Sequence, residues 1–291
     1  MNALSEPIAA YPAEPVRQIP PTRIADAGVW ALHAEARLTP KPGLVDERGG
    51  ASHADMSVDL LLTSADELRE PLRQCAEAAS TMPLGPELRA RLGRIGRTGE
   101  RRMLDVTGGV NTHRGALWAL GLLSAGVAVT GEAASAANFA AQLARIPDPY
   151  ASASATRSHG QRARMQCGTR GAVGEATAGF PHVVRIGLPA MWLSRSRCES
   201  AESAALNALI AIMATLDDTC VVHRGGTLGL RMVQRRAADI TSAGGCGTAG
   251  GRRRLEAFCA EADDRGLSMG GSADLLAATL FLDLLAQPEG D

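Results

Sequence analysis

The chain has 291 residues, with 45% hydrophobic and 21% charged side chains, which is enough for a sizeable core and excludes wholesale disorder. A net charge of −1 and a pI near 6.6 exclude a protein that coats nucleic acid by bulk positive charge. Aromatic residues reach only 3% while Ala, Leu and Arg abound, which argues against an all-β domain and for helices.

The spacing predicts an all-α chain. Residues 1–20 carry four prolines and little periodicity, and read as a flexible arm ahead of one domain over 21–287. Thr22 is placed to cap a helix that turns Val29, Leu32 and Ala36 inward. The segment 39–56 breaks helix with two Pro and three Gly and is rich in polar groups. Helical patterns follow at 56–81 and 86–106, and Gly108-Gly109 ends the second. A helix is expected from near Thr112 through the apolar run 116–129, which is shorter than the ~20 residues of a membrane span. Gly131 is expected to open another, reaching about Ile146.

Residues 147–183 read as irregular, with Arg157, His159, Arg162, Arg164 and Arg170 close together as a candidate polyanion clamp. Leu206, Leu209, Ile210, Met213 and Leu216 carry a strong helical period. Leu230, Val233, Ala237 and Ile240 repeat it, in a helix that Gly225-Gly226 is expected to open. Residues 244–251 read as a loop, and Ser272 as the N-cap of a last helix. The total is roughly ten helices, with the site at loops between helix ends.

Six cysteines form no CxxC pair and no Cys/His metal spacing. They read as reduced thiols of a cytoplasmic protein, and no basic-then-apolar leader opens the chain. Of the 30 basic residues, only Lys41 is a lysine, which singles out its position.

Four polar, Gly-containing segments interrupt the helical pattern: TPKPGLVD (39–46), NTHRG (111–115), DDTCVVHRGG (217–226) and GGSADL (270–275). Helix ends are where anions and metals find partners. Asp217 and Asp218 close a predicted helix, where the dipole opposes carboxylates, so either solvent or a cation such as Mg²⁺ compensates them. Arg224 with Gly225-Gly226, and Gly270-Gly271-Ser272, resemble anion cradles. Asp274 falls in the expected first turn of the last helix, where a structural reading alone would suffice. Lys41 stands between Pro40 and Pro42, which stiffen the backbone and aim its ammonium. Asp46 adds a carboxylate, and Asn111 can cap the helix that His113 and Arg114 begin. No P-loop, dinucleotide fingerprint or nucleophile elbow is present. The residues alone support an α-helical protein that binds a phosphorylated small molecule with Mg²⁺.

The ordered segments LTPKPGLVD, NTHRGA, GEATAGFP, DDTCVVHRGG and GGSADLLAATLFL, over residues 25–286, resemble the triphosphoribosyl-dephospho-CoA synthases. The resemblance implies an all-α fold and a reaction that joins ATP to 3′-dephospho-CoA with release of adenine. The balanced charge and the short apolar runs already argue against contact with nucleic acid or membrane. The product would be the prosthetic-group precursor of the acyl-carrier protein of malonate decarboxylase or citrate lyase, with the carrier and its prosthetic-group transferase acting downstream. Three positions depart from the family pattern: Val173 where relatives often have Arg, Met269 where they often have Pro, and Cys220 where the citrate-lyase type commonly has Asn. With the composition, these tilt the reading to the malonate decarboxylase branch.

Glycosyl transfer at C1′ of the ATP ribose needs a base, help for the leaving adenine, and charge control of the triphosphate. The matching motifs offer His113, His223, Glu175 and Asp218 as catalytic groups. Lys41, Arg114, Arg170, Arg224, Gly225, Gly226, Gly270, Gly271 and Ser272 are the candidates for phosphate. Asp217, Asp218, Asp274 and Asp46 are the candidates for Mg²⁺. Two rival readings are an N-glycosidic hydrolase of an ADP-ribose-like substrate and a non-catalytic nucleotide-binding protein.

Overall fold

The computed structural model describes residues 17–50, 52–150 and 171–287, so the expected arm over 1–16 and the Arg157–Arg170 cluster lie outside the described residues. The described residues are helical, with no β-strand beyond an isolated bridge between Asp46 and Gly49. The helices are α1 (Pro21–Arg37), α2 (Val58–Asp66), α3 (Arg69–Thr81), α4 (Pro86–Val106), α5 (Arg114–Thr130) and α6 (Ala133–Arg145). They continue as α7 (Gly171–Thr177), a π-helical turn (Val183–Gly187), α8 (Leu188–Ser196), α9 (Ala201–Met213), α10 (Thr219–Ser242), α11 (Ala249–Asp264) and α12 (Gly270–Ala286).

Two strongly apolar segments become the central helices. Around α5 pack α3, α4, α6 and α12, while α12 also touches α1, α9 and the π turn. A helix that is apolar all round has to be buried, and α5 and α12 bury residues on every face. Asp283, 4% exposed in the last turn of α12, is the exception that needs a partner. Arg195 grips both its oxygens, at 2.6 and 2.5 Å, and Trp192 Nε1 donates at 3.1 Å. Among the described residues no helix is long and apolar enough to cross a membrane.

Several boundaries differ from expectation, each for a local reason. Proline at N1 needs no amide partner, so α1 starts at Pro21, with Thr22 inside its first turn and no side-chain cap. The stretch 56–81 divides at Glu67-Leu68 into α2 and α3. Gly131, at φ 65°, closes α5 rather than opening α6. Two helical segments, α7 and α8, fall where or just beyond where 147–183 read as irregular. Gly225-Gly226 does not open a helix: α10 already begins at Thr219, and Gly226 (φ 62°, ψ −163°) kinks it. Only glycine takes that conformation without strain.

Candidate active site

Two clefts meet at the start of α5, and they gather all five motif segments. The smaller, about 160 Å³, has apolar walls from Leu32, Leu44, Val45, Met56 and Leu61, with Glu35, His53, His113 and Ser268 at its polar points. The larger, about 400 Å³, runs past Trp118, Val173, Glu175, Phe180, Asp217 and Gly271. Asn111, Arg114, Gly115, Cys220 and Asp274 line both.

Asp274 is the junction. It lies one turn further into α12 than expected, because α12 begins at Gly270 with Met269 at the N-cap position. Its carboxylate sits so close over α5 that a Cβ on Gly115 would fall 1.9 Å from Oδ2. That contact explains the glycine in NTHRG: any side chain at 115 would displace the carboxylate. Burial raises the Asp274 carboxyl well above the usual carboxylate range, and Asp218 and Glu35 push it the same way. The Ala116 amide opposes them.

Asp218 has a different task. It is 1% exposed and caps α10, with Oδ1 accepting from Cys220 N–H at 2.9 Å. Its oxygens also accept from Gly271 N–H at 3.3 Å, Ser272 N–H at 2.8 Å and Ser272 Oγ–H at 2.9 Å. The Gly270-Gly271-Ser272 segment is therefore an anion cradle whose anion is internal. Ser272 is not the N-cap; its amide and hydroxyl both serve Asp218. Both oxygens of Asp218 are engaged here, on the starts of α10 and α12.

Lys41 departs most from expectation. Its side chain is 1% exposed and turns inward, where Nζ donates to Glu35 Oε1 at 2.7 Å and to the carbonyls of Glu35 and Ala36 at 2.5 and 3.4 Å. A cation on the last carbonyls of α1 is a helix C-terminal contact, not a phosphate contact. The Thr39–Pro40 peptide before it is cis. Asp46 is equally engaged: it accepts from Lys41 N–H and from the backbone and guanidinium of Arg48.

His113 is 4% exposed and borders the small cleft. Nδ1 lies 3.1 Å from Ser64 Oγ, which in turn lies 2.5 Å from Thr112 Oγ1. Nε2 has no partner. Burial, with Lys41 nearby, lowers the His113 pKa to about 3, so the ring is neutral and too weakly basic for the role that its sequence position suggested. His53 joins it in the small cleft, with Nε2 2.9 Å from Ser268 Oγ, and its pKa is lowered by burial and by Arg224.

Arg224 and His223 are exposed on α10 and line neither cleft. The Arg224 guanidinium ties α10 to the carbonyls of Ser52 and Gly266, at 2.9 and 3.3 Å. A Cβ on Gly225 would strike Leu267 Cδ2 at 2.5 Å, so that glycine permits close packing instead of cradling phosphate. Glu175 does border the large cleft, and its carboxylate accepts from His182 N–H and pairs with His182 Nδ1, both at 2.8 Å. Burial alone would lower His182, but the Glu175 carboxylate outweighs it and holds the ring above its usual value. Arg114 reaches Glu100 Oε1 at 2.6 Å from the rim of both clefts, and Asn111 Oδ1 accepts from Arg114 N–H at 3.2 Å. Asp217 is exposed at the border of the large cleft. Arg170 lies outside the described residues.

Of the phosphate candidates, the clefts thus bring together Arg114, Gly270 and Gly271. Of the acidic candidates they gather Asp217, Asp218, Asp274 and Glu175. Among the described residues no three His, Cys, Asp or Glu side chains are grouped to hold a metal ion. Sequence reasoning missed Glu35, Ser64 and Trp118, which lie within helices where helical periodicity already accounted for them. Val173 is 44% exposed at the large cleft, Met269 is fully buried, and Cys220 Sγ fits against Gly270.

Comparison with known proteins agrees with the convergence of the motifs. A sequence model of the family described as CitG, ATP:dephospho-CoA triphosphoribosyl transferase, matches residues 21–291. A protein of Klebsiella pneumoniae named 2-(5″-triphosphoribosyl)-3′-dephosphocoenzyme-A synthase is 45% identical, over 88% of this chain and 95% of its own. Proteins of Stutzerimonas stutzeri and Pseudomonas fluorescens, each named as a probable enzyme of that kind, are 49% and 47% identical and cover 90% of this chain. They are matched over 91% and 90% of their own lengths. No solved structure matches the chain.

Proposed function

The chain belongs to the ATP:dephospho-CoA triphosphoribosyl transferase family, and from that premise we propose how its paired clefts join ATP to 3′-dephospho-CoA. The observation that carries the proposal is the meeting of the five motif segments around Asp274, the one acidic group that borders both clefts and has its carboxyl raised well above the usual range.

The small cleft suits the adenine of ATP. Its walls are apolar, and His113 offers an unpartnered ring nitrogen on a neutral imidazole. The large cleft suits the triphosphate, beside Arg114, and the incoming acceptor. The 2′-hydroxyl oxygen of dephospho-CoA attacks C1′, the bond from C1′ to the adenine nitrogen breaks, and its electron pair leaves with the base. Asp274 takes the hydroxyl proton, a task suited to a carboxyl whose affinity for a proton is raised. The departing adenine takes a proton from solvent water, and Asp274 later returns its own to solvent, which balances the reaction; in this reading His113 Nε2 hydrogen-bonds the purine. The carboxylate of Asp274 also favours the positive charge that gathers on the ribose in an oxocarbenium-like transition state.

Mg²⁺ accompanies ATP in this reading. On a nucleotide it needs only one or two protein carboxylates beside the phosphates. Asp217, exposed at the large cleft, fits that need, whereas Asp218 and Asp46 have their oxygens engaged. When bound, the ion would neutralise phosphate charge. The malonate decarboxylase branch is supported by Cys220 in the DDTC motif. The acyl-carrier protein and its prosthetic-group transferase then act on the product downstream. A cytoplasmic setting is supported by five free cysteines among the described residues.

The test is mass spectrometry of the purified protein with Mg-ATP, with and without 3′-dephospho-CoA. The expected result is adenine in step with the triphosphoribosyl adduct, and none without acceptor. Adenine without acceptor would mean a hydrolase. Bound ATP with no adenine under either condition would mean a nucleotide-binding protein.

A further inference from the structure

A third cavity, about 400 Å³, opens between α4 and α5 and shares Trp118 and Arg114 with the large cleft. Its lining is mostly apolar, from Leu92, Leu117, Leu122 and Trp118, with three arginines and two carboxylates set among them. Arg89 is 7% exposed, its guanidinium carbon stands 5.3 Å from the centre of the Trp118 ring, and its Nε has no partner. Trp118 Nε1 is likewise buried without a partner. Arg97 Nη1 donates to Asp148 Oδ2 at 2.6 Å, and Arg89 Nη1 lies 3.6 Å from that same oxygen. With Arg114 on Glu100, three guanidiniums face two carboxylates. Buried donors without acceptors are costly, and native structures rarely keep them without a ligand or water to answer them.

The pocket thus has surplus positive charge and two open N–H donors, and its carboxylates are already engaged. Asp148 serves both arginines and the Tyr150 amide, and Glu100 serves Arg114. No carboxylate there is left to share a metal with a triphosphate, which separates this pocket from the cleft that Asp217 borders. An anion held by guanidinium forks alone, without metal, is the matching ligand. A diphosphate diester carries two negative charges and suits it. Resting on the function proposed above, we infer that the pocket lined by Arg89, Arg97 and Trp118 binds the diphosphate of the dephospho-CoA acceptor. The shared Arg114 and Trp118 then place the acceptor's ribose at the entrance to the large cleft, on the way to Asp274.

Two variants test this without relying on one that fails to fold. Gly96 lines the pocket within α4, and a Cβ there meets nothing within 4 Å, so Gly96→Leu fills the space while keeping every charge. Arg97→Gln removes one cation whose side chain is 34% exposed. For wild type and both variants, Kd and KM are measured for 3′-dephospho-CoA and for Mg-ATP separately, together with Tm. The expected result is that both variants weaken dephospho-CoA by roughly tenfold or more, the loss of a charge-assisted contact, while Mg-ATP stays within about twofold. Unchanged dephospho-CoA affinity in both variants would overturn the inference, whether or not Tm falls, and leave the pocket as a structural tie between α4 and the turn at Asp148. Weakening of Mg-ATP instead would overturn it too. Wild-type protein that neither binds nor consumes dephospho-CoA would sink the proposed function itself, a result these variants cannot mimic.

Discussion

Replacing Asp218 separates a structural anion from a catalytic one. Asn keeps the size of the side chain but turns one oxygen into a donor. If that is Oδ2, the new amide faces the Ser272 N–H and hydroxyl that now donate to it at 2.8 and 2.9 Å. The hydroxyl can rotate to accept, but the backbone amide cannot. One buried amide left without an acceptor costs about 1–3 kcal/mol, and bonds to a charged acceptor lie at the upper end. Burial acts against the charge of Asp218, so removing that charge recovers part of the loss. The net expectation for Asp218→Asn is about 2 kcal/mol, or a Tm lowered by roughly 4–8 °C in a domain of this size. Asp218→Ala also strands the Cys220 and Gly271 amides, at the starts of α10 and α12. It should cost about 4–6 kcal/mol, a large part of the ~5–15 kcal/mol that holds a domain together. Thermal unfolding followed by circular dichroism reads both. At a temperature where Asp218→Asn is folded, its Kd for Mg-ATP should match wild type within about threefold. An unchanged or raised Tm together with lost Mg-ATP binding would refute the reasoning and restore Asp218 as a metal ligand.

Asp274→Asn should do the reverse: it should stabilise the protein and abolish activity. Folding raises the Asp274 pKa, so the native state holds that proton more tightly than the unfolded chain does, and wild-type stability falls as pH rises above the ordinary carboxylate value. The Asn variant should therefore have the higher Tm at pH 8, an advantage that vanishes as pH approaches 4, while adenine release drops at least ~100-fold; equal Tm values at pH 8 would contradict the electrostatics. Lys41→Met leaves Glu35 buried and unpaired, which should cost about 3–5 kcal/mol, and pairing it with Glu35→Gln should return most of that in urea unfolding. A Lys41→Met protein that is fully stable but has a raised KM for ATP would instead make Lys41 a phosphate ligand. The His113 ring should show flat NMR shifts from pH 5 to 9, because its pKa lies near 3, and a midpoint near 6.5 would show that the ring is not buried as described.

Helix placement was legible where period and punctuation agreed. The pattern 86–106 became α4 at the same residues, with Pro86 at N1 and Gly108 in the left-handed region beyond its end. It was illegible where a side chain acts through tertiary contacts. Ser272 has the chemistry of an N-cap, but Asp218, 54 residues earlier, claims its amide and hydroxyl. Lys41 stood out by its uniqueness among the basic residues. What no local pattern could show was that the ammonium turns inward onto the last carbonyls of α1. The Gly-rich segments were read as waiting for phosphate, and a backbone that cradles an anion has the same sequence whether the anion is a ligand or an aspartate of the same chain.

That ambiguity bears on the chemistry of the site. Around the clefts the charged groups are largely paired within the protein: Lys41 with Glu35, Arg48 with Asp46, Arg114 with Glu100, His182 with Glu175. Asp218 is answered by the starts of two helices. Asp274, set between these pairs, receives the Ala116 amide and is pushed upward by Asp218 and Glu35. A carboxylate so placed is costly in the empty protein, and it becomes favourable when positive charge develops beside it or a proton arrives. In the reaction proposed above, both happen as adenine leaves and the acceptor hydroxyl attacks. With the neighbouring charges paired within the protein, the charge of Asp274 in the proposed reaction acts on the transition state more than on the resting substrate. Gly115 is the backbone side of this arrangement, since only a residue without a Cβ lets the carboxylate lie against α5 where both clefts open.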